Sequence, residues 1–178
     1  MVIKIDNDIE LRQLEQTDAT DIFEAIDIQR EYLGKWLPFV ASTQEVSDTQ
    51  EFVDSVVNAP KERFELQFTI RKQDQFIGLI GFKDTDKANK KTEIGYWLSE
   101  KYQKQGIITR SVEKLCGFAF NELGIHRVQI KCAVGNQRSI NVPKRLGFRF
   151  EGIERHGELL TGNIFTDLEI YSKLQSDK

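Results

Sequence analysis

The chain has 178 residues, of which 39% are hydrophobic and 30% are charged. A chain of this length can bury a core without disulfide or metal support, so we expect a single domain over residues 1–178. With only 3 prolines and 12 glycines, the composition excludes a disordered, collagen-like or low-complexity chain. The net charge of −3 provides no basic surplus for a phosphate backbone, which argues against a nucleic-acid partner.

Targeting, redox and metal signals are weak in this sequence. The longest apolar run, residues 76–82, is far shorter than the roughly 20 residues that span a bilayer. The first residues alternate apolar and charged side chains, unlike a signal peptide, so we expect a cytoplasmic protein without a membrane partner. Cys116 and Cys132 have apolar neighbours, which favours buried, reduced thiols over a nucleophile. The chain has 2 histidines and no cluster of ligand residues, which argues against a metal site.

The N-terminal part predicts a hairpin followed by a helix. Strands are expected at residues 3–5 and 9–14, where apolar side chains recur. Thr17 is a candidate N-cap for a helix that continues to about Arg30 and carries one apolar stripe. A turn or short helix is expected over residues 33–39.

A second helix is predicted from a capping box. Ser47 and Gln50 have the spacing at which two side chains bond each other's backbone N–H groups, and apolar residues follow at helical spacing. Pro60 is expected to end this helix.

Beyond residue 60 the sequence predicts strands interrupted by two helices. The strands, marked by apolar alternation or short apolar runs, are expected at residues 64–70, 76–82, 92–98, 127–134, 148–153 and 165–174. The helices are expected at residues 109–123 and 139–146, each followed by a glycine, and a charged loop is expected at residues 83–91. This order of elements predicts an α+β fold with a central mixed sheet.

A polar loop that contains Gly106 joins a predicted strand to a predicted helix. Unpaired backbone N–H groups and the positive end of the helix would surround such a loop, which suits an anion such as pyrophosphate. One glycine in such a loop is more often ordinary turn chemistry, so the loop alone leaves phosphate binding open.

Two blocks of sequence resemble the acetyl-CoA-binding core of the GCN5-related N-acetyltransferase (GNAT) superfamily. The first, residues 103–108 (QKQGII), follows the pattern Gln/Arg-x-x-Gly-x-Gly/Ala except at Ile108, where the family usually has a small residue. The second contains Asn136, Ser139 and the run LGF at residues 146–148. The resemblance implies the GNAT acyl-CoA N-acyltransferase fold, with helices around a twisted, mostly antiparallel mixed sheet. It also implies acetyl-CoA as co-substrate and no metal.

Further segments resemble the ribosomal-protein N-acetyltransferases. They are Trp36-Leu37-Pro38, the run EIGYWL at residues 93–98, and Asp167-x-x-x-Tyr171. That group acetylates the α-amino group of an N-terminal Ser or Ala, so the resemblance implies a protein N-terminus as the acceptor. A dimer is common in the family, which makes a homodimer a further expectation.

Two other functions remain open at this point. One is acetylation of a small amine such as a polyamine or an aminoglycoside. A polyamine pocket needs clustered carboxylates. The first predicted helix carries a row of four acidic residues, Asp18, Asp21, Glu24 and Asp27. This row either supplies such a cluster or forms an exposed acidic face. The other is a CoA-binding module that has lost catalysis, which only Ile108 favours.

The resemblance assigns the cofactor to the loop, the adjoining strand end and the second block. These residues are Trp97, Leu98, Gln103, Lys104, Gln105, Gly106, Ile107, Ile108, Thr109, Asn136 and Ser139. A backbone N–H near Leu98 would hold the thioester carbonyl. Lys104 either meets a phosphate or is solvated. Asn136 either bonds the pantetheine amides or forms a turn with Gly135.

Direct transfer of acetyl to an amine, which the family uses, needs a base and an acid. Glu93 is the candidate base, because strand alternation places it on the same face as Trp97. Its alternative is a surface carboxylate paired with Lys90 or Lys91. Ser139 is the candidate acid beside the thiol, and its alternative is the N-cap of the short helix.

The acceptor is expected against Trp36 and Tyr171. Trp36 would form a wall of the acceptor pocket, or else anchor a helix corner. Tyr171 would reach the reacting centre, or else place its hydroxyl at the surface. His156 lies in the region that shapes acceptor specificity in the family, but it has no visible carboxylate partner and is expected to be structural or exposed.

Overall fold

The computed structural model describes residues 1–60 and 66–177. The strands in this part of the chain are β1 (Val2–Lys4), β2 (Ile9–Gln13), β3 (Gln67–Lys72), β4 (Gln75–Asp86), β5 (Lys91–Leu98), β6 (Arg127–Ala133), β7 (Arg149–Leu160) and β8 (Ile164–Leu174). The helices are α1 (Ala19–Asp27), α2 (Arg30–Gly34), α3 (Phe39–Ser42), α4 (Val46–Val57), α5 (Ile107–Asn121) and α6 (Gln137–Arg145). The described strands form one sheet in the order β1-β2-β3-β4-β5-β6-β8-β7. Every neighbouring pair is antiparallel except β5 and β6, so the predicted α+β fold is confirmed.

The helices cover both faces of the sheet because the strands bury side chains on both faces. On one face, α1, α2 and α4 pack on Phe76, Leu79 and Trp97. On the other, α5 and α6 pack on a larger cluster that includes Ile80 and Ile94. No described helix is both long enough and apolar enough to cross a membrane.

Two predicted helix caps are wrong. Thr17 lies inside a 3₁₀ turn, and α1 begins only at Ala19; at this turn the carboxylate of Asp18 accepts the N–H of Glu15 at 2.8 Å. Ser47 lies inside α4, where Asp48 accepts the N–H of Glu45 at 2.9 Å instead. Carboxylates rather than hydroxyls therefore close both helix starts, which complements the positive end of each helix.

Several predicted boundaries also differ from the structure. The first predicted helix is divided in two, because Gln29 leaves helical geometry with φ −143° between α1 and α2. The charged loop predicted at residues 83–91 is shorter, since β4 continues to Asp86. The predicted strand start at Phe64 lies outside the described residues.

The parallel pair of strands opens the sheet at its centre. Strands β5 and β6 pair over Lys91–Glu93 and Arg127–Gln129, and no further pairing joins their described residues. Beyond Glu93 the two strands therefore separate, and their C-terminal ends form the arms of a V. Parallel strands need a crossover connection, and α5 provides it directly after the loop that contains Gly106.

Candidate active site

The start of α5 presents free backbone donors. Gly106 has φ +69°, a left-handed conformation that glycine adopts without steric cost, and α5 begins at the next residue. The first helical hydrogen bond runs from the N–H of Arg110 to the carbonyl of Gly106 at 3.0 Å. The preceding N–H groups, those of residues 107–109, have no acceptor within the helix. These donors and the helix dipole can accommodate an anion at this end of α5.

A cleft of about 840 Å³ lies in the opening between β5 and β6. Predicted site residues that line it are Trp36, Trp97, Leu98, Gln103, Ile108, Asn136 and Ser139. Residues 104–107 and Thr109 do not line the cleft and continue the loop and helix start beside it. Ile108 is 9% exposed, so the side chain that departs from the family pattern is packed into the cleft wall.

The end of β5 also offers a backbone donor to the cleft. Successive N–H groups of a strand point to opposite sides, and the N–H of Ser99 donates to Ile77 on β4 at 2.8 Å. The N–H of Leu98 therefore faces away from β4, toward the separated strand β6. The side chain of Gln103 donates to the carbonyl of Leu98 at 3.1 Å and fixes this strand end against the loop.

A second cavity, the chamber, has a volume of about 670 Å³ and lies beneath α1, α3 and α4. Cleft and chamber share a neck, the set of residues that lines both cavities: Trp36, Leu37, Tyr96, Trp97, Asn136 and Ser139. Two ligands could therefore enter from opposite sides and meet at this neck.

The chamber contains Glu93, which strand alternation predicted on this face. Its side chain is 6% exposed, and Oε1 lies 2.8 Å from Nζ of Lys83 on β4. The predicted alternative, an ion pair with Lys90 or Lys91, is wrong, because the partner is on the adjacent strand. Glu93 is thus a buried carboxylate paired with Lys83.

A second carboxylate in the chamber belongs to Glu158, in the region predicted to shape acceptor specificity. The pairing of β7 with β8 is irregular between Glu154 and Glu158, as in a β-bulge, a feature that turns side chains away from the regular strand direction. Glu158 is half-buried, and no described residue gives it a hydrogen bond or ion pair. Its carboxylate is therefore available to a ligand in the chamber.

Three protic side chains meet at the neck. The Tyr96 hydroxyl lies 3.3 Å from Ser139 Oγ, and Ser139 Oγ lies 3.3 Å from the Cys132 sulfur, to which it donates. Desolvation raises the pKa of Tyr96 well above its usual value and the pKa of Cys132 to about 11. Both groups are therefore protonated at neutral pH, and Cys132 is not an activated nucleophile.

Asn136, not Ser139, caps α6. Its side-chain oxygen accepts the N–H of Ser139 at 3.3 Å, so the capping alternative for Ser139 is wrong and its hydroxyl bonds Tyr96 and Cys132 instead. Trp36 lies in the neck within reach of Gly135. Tyr171 is 1% exposed, lines neither cavity and donates to Glu169, so its hydroxyl is not at the surface.

Gln29 is a site residue that the sequence analysis missed. It lines the cleft, donates to Ser99 Oγ at 3.0 Å and accepts the N–H of Glu100 at 3.0 Å. The break between α1 and α2 thereby holds the end of β5. No local pattern signals this role, because its partners lie about 70 residues away along the chain.

Comparison with known proteins agrees with this geometry. A profile of the acetyltransferase (GNAT) domain matches residues 8–149. YdaF of Bacillus subtilis, named as a candidate ribosomal N-acetyltransferase, is 34% identical over 98% of this chain and 95% of its own length. The ribosomal-protein-serine acetyltransferase of Escherichia coli is 30% identical over 97% and 96% of the two chains.

A solved structure shows the same architecture. RimL, described as a ribosomal L7/L12 α-N-protein acetyltransferase in complex with coenzyme A, superposes with a TM-score of 0.93. It is 26% identical and covers 99% of this chain and 100% of its own. The match of the domain profile and the relatives confirm the family inferred from the sequence motifs. The chain therefore belongs to the GNAT acetyltransferase family, as an N-acetyltransferase whose acetyl donor is acetyl-CoA.

Proposed function

We propose that this enzyme acetylates the α-amino group of a protein N-terminus, with a ribosomal protein as substrate. The main observation in favour is the neck. There the cleft, which would hold the acetyl donor, meets the chamber, which has room for a second ligand, and Ser139 lines both cavities. The similarity to YdaF and RimL extends over nearly the whole chain and supports this acceptor class.

The acidic row on the first helix gives no support to a polyamine acceptor. Asp18 and Asp21 bond Arg71 at 2.6 and 2.8 Å, and Asp27 bonds Arg30 at 2.7 Å. None of these three residues lines the cleft or the chamber, and neither does Glu24. The carboxylates therefore stabilise the helix and its contact with β3 instead of forming a polycation pocket.

The residues of the cleft fit acetyl-CoA. The free N–H groups at the start of α5 would hold its pyrophosphate, and the N–H of Leu98 would hold the thioester carbonyl. Acetyl-CoA supplies an activated acyl group whose C–S bond breaks as the C–N bond to the amine forms. The protein must take one proton from the amine and give one to the departing sulfur.

We propose that the base is a chamber carboxylate and that Glu158 takes the proton. Glu93, the candidate from the sequence, already has its Oε1 engaged by Nζ of Lys83 at 2.8 Å. Glu158 has no such partner among the described residues. An α-amino group has a pKa near 7.7–8.0, so a modest base is sufficient. In this arrangement the Glu93–Lys83 pair orients the amine.

Ser139 is the proposed donor to the departing sulfur. Its hydroxyl lies in the neck, and the Tyr96 hydroxyl 3.3 Å away can replace the proton it gives. Both groups are neutral donors, so neither needs to be ionised before the reaction.

A panel of amines tests the acceptor. We expect CoA thiol release from acetyl-CoA with peptides that begin with Ser or Ala, and no release with the same peptides acetylated at the N-terminus. Mass spectrometry should place the acetyl group on the α-amino nitrogen and leave lysines unmodified. Release with spermidine or an aminoglycoside alone would contradict the proposal and assign a small-amine acceptor.

A further inference from the structure

A side chain from the first turn of α5 braces the loop that precedes this helix. Arg110, in the first turn of α5, folds back so that its Nη1 donates to the carbonyl of Gln105 at 3.0 Å. Its Nη2 donates to Asp6 Oδ2, also at 3.0 Å. One guanidinium thus joins the loop to the turn between β1 and β2, 104 residues away along the chain.

Asp6 is itself fixed in that turn. Its Oδ1 accepts the N–H groups of Asp8 and Ile9, both at 2.9 Å. The bond from Asp8 contributes most to a lowered pKa of Asp6, and Arg110 contributes further. The carboxylate therefore stays ionised at neutral pH and offers Arg110 a rigid anionic partner.

The packing at Gly106 also depends on Arg110. A Cβ atom at Gly106 would lie 3.1 Å from Arg110 Nη1, tighter than an ordinary contact. The Nε atom of Arg110 is buried and has no hydrogen-bond partner in the described chain. One edge of the guanidinium is therefore packed against the loop, while the side chain as a whole is 41% exposed.

We propose that Arg110 is a positioning residue for acetyl-CoA: held by Asp6, it fixes the Gln105 carbonyl and so keeps the neighbouring N–H groups aimed at the pyrophosphate. The inference rests on the proposed role of this loop in cofactor binding. The competing role for Arg110 is direct contact with a phosphate. The two roles predict opposite effects of Asp6→Asn, because loss of Asp6 loosens a tether but frees a phosphate ligand.

Calorimetric titration with acetyl-CoA distinguishes these roles. Arg110→Ala should raise Kd about tenfold, as expected for a lost hydrogen bond from a charged donor. Asp6→Asn should raise Kd about threefold, since the ion pair is solvent-exposed. The double variant should bind no more weakly than Arg110→Ala, because both changes break one linkage. At saturating acetyl-CoA, kcat should stay within about twofold, since a positioning role affects KM.

The controls separate positioning from general destabilisation. Arg127→Ala removes another exposed arginine–carboxylate pair, with Glu151, and should leave Kd unchanged. Arg110→Lys keeps the charge but not the two-pronged geometry, so its Kd should lie between those of wild type and Arg110→Ala. A Kd that falls in Asp6→Asn, or one unchanged in Arg110→Ala, would overturn the inference. If Gly106→Asp also left Kd unchanged, the loop would not contact acetyl-CoA. That result would contradict the cofactor-binding part of the proposed function as well as the role of Arg110.

Discussion

The cleft and the chamber share one neck but are built in different ways. The proposed phosphate site beside the cleft is made of backbone N–H groups from one continuous segment, residues 103–109. The chamber uses side chains that α1, α3, α4 and five strands bring together, among them Lys83, Glu93 and Glu158. A site made from consecutive backbone groups leaves a local signature in the sequence, whereas a site made from distant side chains does not.

The largest effect is expected from Gly106→Asp, in the loop whose backbone N–H groups form the proposed phosphate site. The new carboxylate would repel pyrophosphate, and a non-glycine residue at φ +69° is strained, so acetyl-CoA affinity should fall about 100-fold or more. Equilibrium binding measures this loss. Gly117→Asp places the same side chain further along α5, where nothing lies within 4 Å of the added Cβ, and should bind normally. Equal losses in both variants would show that the helix, not the loop, had been damaged.

The next largest effect is expected on kcat, from substitutions of the two carboxylates in the chamber. Glu158→Gln should lower kcat about 100-fold at neutral pH, within the usual range for loss of a general base, with little change in KM for acetyl-CoA. Glu93→Gln should lower kcat about tenfold, because it disturbs only the orientation supplied with Lys83. Steady-state kinetics against pH give both values. The reverse order of the two effects would return the role of base to Glu93.

A smaller effect is expected at the neck, where the two regions meet. Ser139→Ala should lower kcat about tenfold, and Tyr96→Phe somewhat less, because Tyr96 acts only through Ser139. Cys132→Ser, which keeps a hydrogen-bonding group beside Ser139, serves as the control and should stay close to wild type. If Tyr96→Phe kept full activity, the proposed role of Tyr96 as a proton source would be contradicted, while the proposed role of Ser139 would be unaffected.

The smallest effect should lie outside both cavities. A hydrogen bond from Arg127 lowers the pKa of Glu151 from 4.5 to about 2. A lowered folded-state pKa stabilises the protein above pH 4.5, and this contribution is lost as the pH falls toward 2. Glu151→Gln should therefore lower the free energy of unfolding by at most about 1 kcal/mol at pH 7, since the carboxylate is partly exposed. The variant should also lose less of its free energy of unfolding than wild type as the pH falls. Urea unfolding at pH 7, 5 and 3 measures this, and kcat and KM should not change.

Local sequence was sufficient to predict structural features that are formed by residues close together in the chain. The loop around Gly106 and the strand position of Glu93 follow from motif spacing and strand alternation, whereas spacing alone leaves Ser139 open between a proton donor and a helix cap. Local sequence failed at Thr17 and Ser47, because a carboxylate one to three residues away can satisfy the same N–H groups.

The sequence by itself determined the family, the α+β fold and the loop before α5, because each depends on periodicity or on residues close together in the chain. Only the tertiary structure decided that Lys83 is the partner of Glu93, that Glu158 enters the chamber at an irregularity in β7, and that Gln29 holds the end of β5. It also decided that Asp6 and Arg110 meet. These contacts join residues on separate elements, and no spacing rule specifies them, because their distances depend on how the sheet opens and the helices pack.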